Sequence, residues 1–406
     1  VTDLVSFSST MLLIAFILYC VATILFFIAI TGRRFSNRNP QEHAEKFGWI
    51  AYITAAVGVV CQAVFIGVRT YVGGHFPISN MFEFMQFLGF ATTLAFLGIY
   101  AIYRIPLIGA FVMPFGILVI AYASVFPREI TPLIPALQSY WLQIHVTTAA
   151  LGEGAFAVGF AGGLMYLLRT VNQNESSRST KWLEFVMWVI LTLVAFIGMT
   201  FYFQGTGYQS VFKAPVQAMG GQVAETEVKY DMPAIVGPKG GQLTTTDKMK
   251  PLFEAPGFMR GKEAARKFNT MIWSVIGGTV LYVALRLATR RRLAAPLGKW
   301  VRELDSDLVD EISYRAVAIG FPVFTLGALI FAMIWAHEAW GRFWGWDPKE
   351  VWALVTWLFY SAYLHLRLSR GWQGEKSAWM AVLGFIVVMF NLIFVNLVIS
   401  GLHSYA

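Results

Sequence analysis

Ten apolar runs, each long enough to cross a hydrocarbon layer as a single helix, limit what this chain can fold into. A spanning helix needs about 20 mostly apolar residues. The runs fall near residues 9–30, 48–68, 81–103, 105–126, 142–168, 182–203, 269–288, 313–335, 350–366 and 378–400. Only 13% of the 406 residues are charged, against about 25% for a typical soluble chain. The expected fold is therefore all-α, a polytopic transmembrane helix bundle of about ten spans. Residues 1–203 would hold spans one to six, 204–267 a long loop, and 268–406 spans seven to ten. The first run is of spanning length with no basic region before it, so a cleavable leader is not expected. Cys20 and Cys61 lie inside apolar runs and form no C-x-x-C pair, which argues against thiol–disulfide chemistry by this chain.

The net charge of +8 is explained by topology, with no nucleic-acid signal. Loops after odd-numbered spans are basic: Arg33, Arg34, Arg38 and Lys46; Arg104; Arg169, Arg178 and Lys181; Arg290, Arg291, Arg292, Lys299 and Arg302; Arg367, Arg370 and Lys376. Short loops after even-numbered spans hold only Arg69, Arg128, Arg342 and Lys349. The positive-inside rule then places both termini outside the cytoplasm. The 204–267 loop is long enough to translocate whatever its charge, and its parity also places it outside. Its Gly and Pro content fits a partly ordered excursion; a docking surface for a partner polypeptide is the functional alternative.

Four tryptophans fall within the thirteen residues W-G-R-F-W-G-W-D-P-K-E-V-W, from Trp340 to Trp352. Interfacial belts use tryptophans singly; this density, with an embedded Asp and flanking cations, suits a large flat ligand bearing anionic groups. Trp340, Trp344 and Trp346 offer aromatic faces, and Arg342 or Lys349 a cation for a carboxylate. Asp347-Pro348-Lys349-Glu350 reads as a helix start, with Asp347 as N-cap, Pro348 first and Glu350 third. Haem is such a ligand.

An iron held on both faces of a porphyrin needs two imidazoles about 4 Å apart, given metal–nitrogen bonds of about 2 Å. His145 begins span five and His403 follows span ten, both on the expected outer rim with the Trp segment. Each also fits a hydrogen-bonded rim residue; together they form a candidate axial pair. His365 lies seventeen residues after Pro348 on one helix, about 25 Å deeper at 1.5 Å per residue. It cannot serve the same iron. It is either a histidine reaching the inner headgroups or a ligand of a second site completed by another chain. His75, in G-H-F-P-I-S-N, is external and fits a ligand or the lining of an entry path. His337 reads as a supporting group beside Glu338, and His43 as a solvated loop residue. Glu153 sits two turns inward from His145, as a proton or propionate partner or a carboxyl paired with a polar neighbour. Glu83, Asn391 and Asn396 fit polar contacts between helices.

W-G-R-F-W-G-W-D-P-K-E-V-W-A-L followed by W-L-F-Y-S-A-Y-L-H-L-R resembles the signature of the CcsA (ResC) family of system II cytochrome c biogenesis. G-H-F-P-I-S-N-M-F-E and the terminal G-L-H-S-Y are similar to that family too. System I haem-handling proteins share the Trp-rich motif in looser form. The resemblance implies a haem transporter and cytochrome c synthase, a haem lyase, working with a CcsB (ResB)-type partner. It implies His145 and His403 as ligands of an outer haem b cradled by the Trp segment. It implies His365 as ligand of an inner haem whose second histidine comes from the partner. The 204–267 loop and His337 fall outside the family pattern.

The implied activity begins with haem entering at His365 and moving to the outer site. An apocytochrome C-x-x-C-H segment docks there, its histidine displacing one axial ligand while its two thiols add to the haem vinyl groups. Thiol-reducing proteins are further expected partners. The membrane is a bacterial cytoplasmic membrane, or a thylakoid membrane if the source is a plastid. No general base is evident. A haem exporter without synthase activity, a b-haem electron carrier and a haem-free assembly scaffold are the competing classes.

Overall fold

The computed structural model describes residues 2–31, 39–130, 133, 138–217, 223–245, 248–256 and 264–395. It is built of helices, as the apolar runs require: in lipid every backbone donor and acceptor must be satisfied within the chain. Six helices come first: α1 (Thr2–Thr31), α2 (Pro40–Gly73), α3 (Met81–Tyr103), α4 (Pro106–Ala123), α5 (Tyr140–Thr170) and α6 (Arg178–Gly205). After a small β region come α7 (Ala264–Thr289), α8 (Ala294–Trp300) and α9 (Ser306–Phe324). A π-helical stretch (Thr325–Phe331) joins α9 to α10 (Ala332–Trp340), followed by α11 (Pro348–Arg370) and α12 (Glu375–Phe390). Among the described residues nine helical segments are long and apolar enough to span, with Ser306–Trp340 counted as one. The expected span at 350–366 is also helical, as α11, but its Trp, Tyr and His residues and its charged ends lower its hydropathy and it is not among the nine. The chain is an integral membrane protein with an all-α, polytopic fold.

Local sequence sets the helix ends. Asn39 caps α2 ahead of Pro40, Asn80 caps α3, Ser139 caps α5, and Ser177 with Thr180 forms a capping box on α6. These side chains satisfy amides that a helix start leaves without partners. Gly74 and Gly341 end α2 and α10 in the left-handed conformation, at φ 68° and 69°.

The chain divides into two compact units. The first comprises Val1–Asn172, Pro296–Gly345 and Ala353–Val388. Its axis is α5, the most buried span. α5 is rich in glycine, and neighbouring backbones press against it. A Cβ on Gly154 would lie 2.7 Å from the Ala91 carbonyl carbon, and one on Gly152 would lie 2.7 Å from Phe324 N. Ser313 Oγ donates to Gly159 O at 2.7 Å, bonding α9 to α5. Lipid tails are as apolar as leucine, so helices in a bilayer associate through such close packing and polar contacts rather than through hydrophobic burial. On the far side of the unit Tyr19 Oη donates to Gln62 Oε1 at 2.8 Å, and Gln62 Nε2 to Gln86 O at 2.9 Å, linking α1, α2 and α3.

The second unit comprises Gln173–Ala295, Trp346–Trp352 and the chain from Met389 onward. Here α6 pairs with α7 around Glu184, which accepts from Tyr282 Oη (2.7 Å), Arg286 Nη1 (3.0 Å) and Ala294 N (3.0 Å). Within the 204–267 segment the described residues form short strands, which were not expected. β1 (Ser210–Gln217) pairs antiparallel with β2 (Val223–Tyr230), and β4 (Gln242–Leu243) adds to the other edge of β1. β3 (Val236–Gly237) pairs in parallel with β5 (Phe253–Glu254). Phe212, Ala214, Val228, Tyr230 and Ala234 form a small core. Asn269 and Trp273 of α7 hold Pro233 O, and Asn269 Oδ1 accepts from Ile235 N and Val236 N. Alternation of inward Phe212 and Ala214 with outward Lys213 is the strand signal that overrides the Gly and Pro content.

Three placements differ from expectation. His43 is not a solvated loop residue: it lies in the first turn of α2, 7% exposed, with Nε2 3.2 Å from Ile28 O and its ring against Phe47. Arg69 and Arg367 belong to helices rather than loops, and both are buried in ion pairs. Helices here overrun the apolar runs by a turn or more, because a paired charge is tolerated inside the bundle where a lone one is not.

The glycine packing makes a direct prediction. Gly154→Leu drives a side chain into the α3 backbone and should cost about 1–3 kcal/mol, read as a lower thermal midpoint in detergent. Gly198→Ala, where nothing lies within 4 Å of the added Cβ, should leave that midpoint unchanged or raised.

Candidate functional site

In the first unit the start of α5 and the end of the α9–α10 segment meet at one rim. Pro322 removes an amide from α9, and three residues later the helix widens into its π-helical stretch. Thr325 Oγ1 bonds back to Phe321 O at 2.7 Å and accepts from Trp357 Nε1 at 3.0 Å, bracing the transition. Within the stretch Gly327 packs directly on the Ala149 backbone. Gly327 O accepts from Ala332 N, five residues on, and lies 2.9 Å from His145 Nδ1. A carbonyl only accepts, so Nδ1 carries the hydrogen and the neutral ring has its lone pair at Nε2. This is the arrangement by which proteins orient a metal-binding imidazole.

His145 is also held from the side. Trp335 stacks on it at 5.8 Å between ring centroids and 14° between planes, and Trp335 meets Trp340 edge-on at 4.8 Å. The structure thus joins two expected site residues, His145 and Trp340, through one that was not expected. Trp335 is 2% exposed. It lies five residues before Trp340, outside the dense motif, and that is why composition did not mark it. The legible signal was the Pro322–Thr325–Gly327 interruption of an apolar run, since a sharp change in helix geometry has identifiable causes.

The remainder of the Trp segment follows. Arg342 is exposed and its guanidinium lies over Gly345: a Cβ there would stand 2.7 Å from Nη2. Phe343 stacks on His337 at 4.2 Å and 8°. Trp344 is half-buried. In the second unit, Trp346 takes the left-handed conformation at φ 57° and is 70% exposed. Few residues other than glycine adopt that conformation, and here it turns the chain into α11. The expected helix start is present: Lys349 N donates to Asp347 Oδ2 (3.4 Å), Asp347 N to Glu350 Oε2 (3.2 Å) and Val351 N to Asp347 O (3.0 Å). Asp347 is 6% exposed, while Trp352 packs on Phe390 at 4.5 Å.

His365 is exposed near the end of α11, with Ser369 Oγ 3.3 Å from its Nε2. Two residues on, Arg367 turns inward and bonds Asp310 Oδ2 and Ser377 Oγ, both at 2.8 Å. The helix therefore presents an imidazole on its outer face while its guanidinium ties α9, α11 and α12 together. Glu153 is buried, and its Oε2 has no hydrogen-bond partner among the described residues. His403, and with it Asn396, lies outside the described residues.

At the rim where α3 begins, Arg69 Nε donates to Glu83 Oε1 at 2.7 Å and Arg69 Nη2 to Arg128 O at 2.9 Å. Glu83 Oε2 accepts from Ser79 N (2.9 Å) and Ser79 Oγ (2.7 Å). The two side chains are 5% and 1% exposed. This pair fastens the loop carrying His75 to the segment that follows α4. Glu83 therefore does more than the generic helix contact expected of it.

Together these features define a polytopic membrane protein with a histidine–tryptophan cluster at one rim and an exposed histidine near the other end of α11. A family model described as cytochrome C assembly protein matches residues 78–212 and 270–403, and the chain belongs to that family. It is 30% identical to the cytochrome c biogenesis protein CcsA of Picosynechococcus over 86% of both chains. It is 32% identical to that of Nostoc punctiforme over 86% of both. It is 30% identical to that of Gloeobacter violaceus over 96% of this chain and 94% of the relative. The protein therefore has a role in cytochrome c maturation.

Removing one partner of a buried ion pair strands the other charge. Arg69→Ala should destabilise the protein by about 3–5 kcal/mol, and Arg69→Met with Glu83→Leu should recover most of that loss. Thermal unfolding of both variants in detergent measures the difference.

Proposed function

We propose that this chain carries haem across the membrane and attaches it covalently to apocytochrome c, as a holocytochrome c synthase working with a CcsB-type membrane partner. The observation that carries the reading is the bond between His145 Nδ1 and Gly327 O at 2.9 Å. It sets the tautomer and ring angle that an iron ligand needs, beside aromatic faces that suit a porphyrin. Haem b is here the substrate. His145 and His403 bind it at the extracytoplasmic rim, with Trp340, Trp344 and Trp346 against its faces. Arg342 and Lys349 pair with its propionates, Asp347 holds the turn that presents them, and His75 lies beside the porphyrin.

In this reading both termini lie outside the cytoplasm, and His365 binds haem on the inner side with the second ligand supplied by the partner. The exposure of His365 supports that sharing, because a ligand completed by another chain must face outward from this one. Holding thiol and vinyl group in contact makes the joining step effectively unimolecular. The membrane is a bacterial cytoplasmic membrane or a thylakoid membrane. Thiol-reducing proteins keep the C-x-x-C-H cysteines free to react.

The purified complex should show a low-spin haem b spectrum. His145→Ala or His403→Ala should remove the outer haem or open its iron to added imidazole. His365→Ala should deplete haem while leaving the outer aromatic cluster intact. An unchanged spectrum in both outer variants refutes the ligand set. Haem export without thioether formation on a C-x-x-C-H peptide would make the protein an exporter. Failure to restore c-type cytochrome in a deletion strain would favour a b-haem electron carrier.

A further inference from the structure

We propose that His75 Nε2 takes the thiol proton when the cysteine of the apocytochrome adds to the haem vinyl group; the inference rests on the haem-attachment reading above. His75 Nδ1 lies 3.1 Å from Phe76 O. The carbonyl accepts, so Nδ1 carries the hydrogen and Nε2 is left as the acceptor. Nε2 is buried and has no hydrogen-bond partner among the described residues. A buried acceptor without a donor carries a desolvation cost, which an S–H donor brought to it offsets.

The loop is built to hold that atom still. Gly74 turns the chain at φ 68°, Asn80 Oδ1 accepts from Glu83 N at 2.9 Å, and Glu83 grips Ser79. Phe76 packs edge-on against Phe87 at 5.5 Å, folding the loop over the start of α3.

The loop also stands at the right level. Gly154 of α5 abuts Ala91 and Thr92 of α3, and both helices begin at the same rim. Nine residues back along each lie His145 and Phe82–Glu83. His145 and the anchored loop therefore share one depth on adjacent helices. The charged groups of the neighbouring elements are Arg69, Glu83, Arg128 and Glu129. The first two are bonded to each other, and the Arg128 guanidinium lies over the Phe82 ring.

In the step, the S–H bond breaks and its proton passes to Nε2. The imidazolium passes that proton to the terminal vinyl carbon, which takes it on the double-bond electron pair. The positive charge left on the carbon next to the porphyrin is stabilised by the ring, and a sulfur lone pair bonds there. No electrons are gained or lost, so no oxidant or reductant is consumed. Histidine is the side chain most often used for such a transfer, worth typically 10²–10⁴-fold.

The test uses the full chain with its membrane partner, haem and a C-x-x-C-H peptide. His75→Gln should keep the haem spectrum and lose attachment by about 10²–10⁴-fold near neutral pH. Attachment should recover as the pH rises past about 8.5, where the thiol ionises unaided. A second readout needs no turnover and no variant: iodoacetamide should alkylate the thiol of peptide docked on wild-type protein faster than that of free peptide near neutral pH. An unchanged attachment rate, a loss that alkaline pH does not recover, a lost haem spectrum, or equal alkylation of docked and free peptide overturns the assignment. If wild-type protein forms no thioether, the haem-attachment reading fails and this one with it.

Discussion

Gly327 meets the backbone of Ala149 without a side chain between them, and that approach carries His145 Nδ1 to the Gly327 carbonyl. Three features converge there. Pro322 withdraws an amide from α9, the following turns widen, and the small residues of α5 let a second helix come close enough to share a hydrogen bond. In water a displaced carbonyl finds solvent; in lipid it must find a partner inside the protein. Gly327 O meets that need through Ala332 N, and it accepts from the imidazole as a second donor, which is oriented in return. Packing and site chemistry are therefore the same interaction in this part of the molecule, and the aromatic pile of Trp335 and Trp340 adds to an angle already set.

Charge inside the first unit follows a similar logic. Arg69–Glu83 lies at the rim where α3 and α5 begin, and Arg367–Asp310 near the end of α11. Each pair is buried and carries further hydrogen bonds, fully around Arg69–Glu83, whereas Asp310 Oδ1 has no partner among the described residues. Each also sits beside a histidine of functional interest, His75 at one end and His365 at the other. A clamp that joins three segments restricts how a neighbouring imidazole can move, and positioning at this level matters when reacting atoms must be held within contact.

Much of this is legible in the amino-acid sequence. Apolar run length located the nine segments that are apolar enough to span among the described residues, and the helix α11 besides, because hydrocarbon thickness leaves few other options. Asp347-Pro348-Lys349-Glu350 announced the start of α11, because its capping bonds join neighbours in the chain. The β region was not legible in the same way: Phe212 and Ala214 alternate with polar residues for only a few positions, amid glycine and proline. His43 was misread for a related reason. Its charged neighbours suggested solvent, whereas its burial comes from Ile28 and Phe47, and the first of those lies on another helix. Trp335 escaped notice because its importance is a ring stack across 190 residues of sequence.

By itself the sequence determined the membrane-spanning class, the helix boundaries to within a turn or two and the density of tryptophan near Asp347. Each of these follows from hydropathy or from bonds between residues a few positions apart. The tertiary structure alone decided which nitrogen of His145 carries its hydrogen, which charges are paired and which face of α11 bears His365. Those outcomes depend on backbones brought together from distant positions, and such contacts are set by how closely small residues let helices approach.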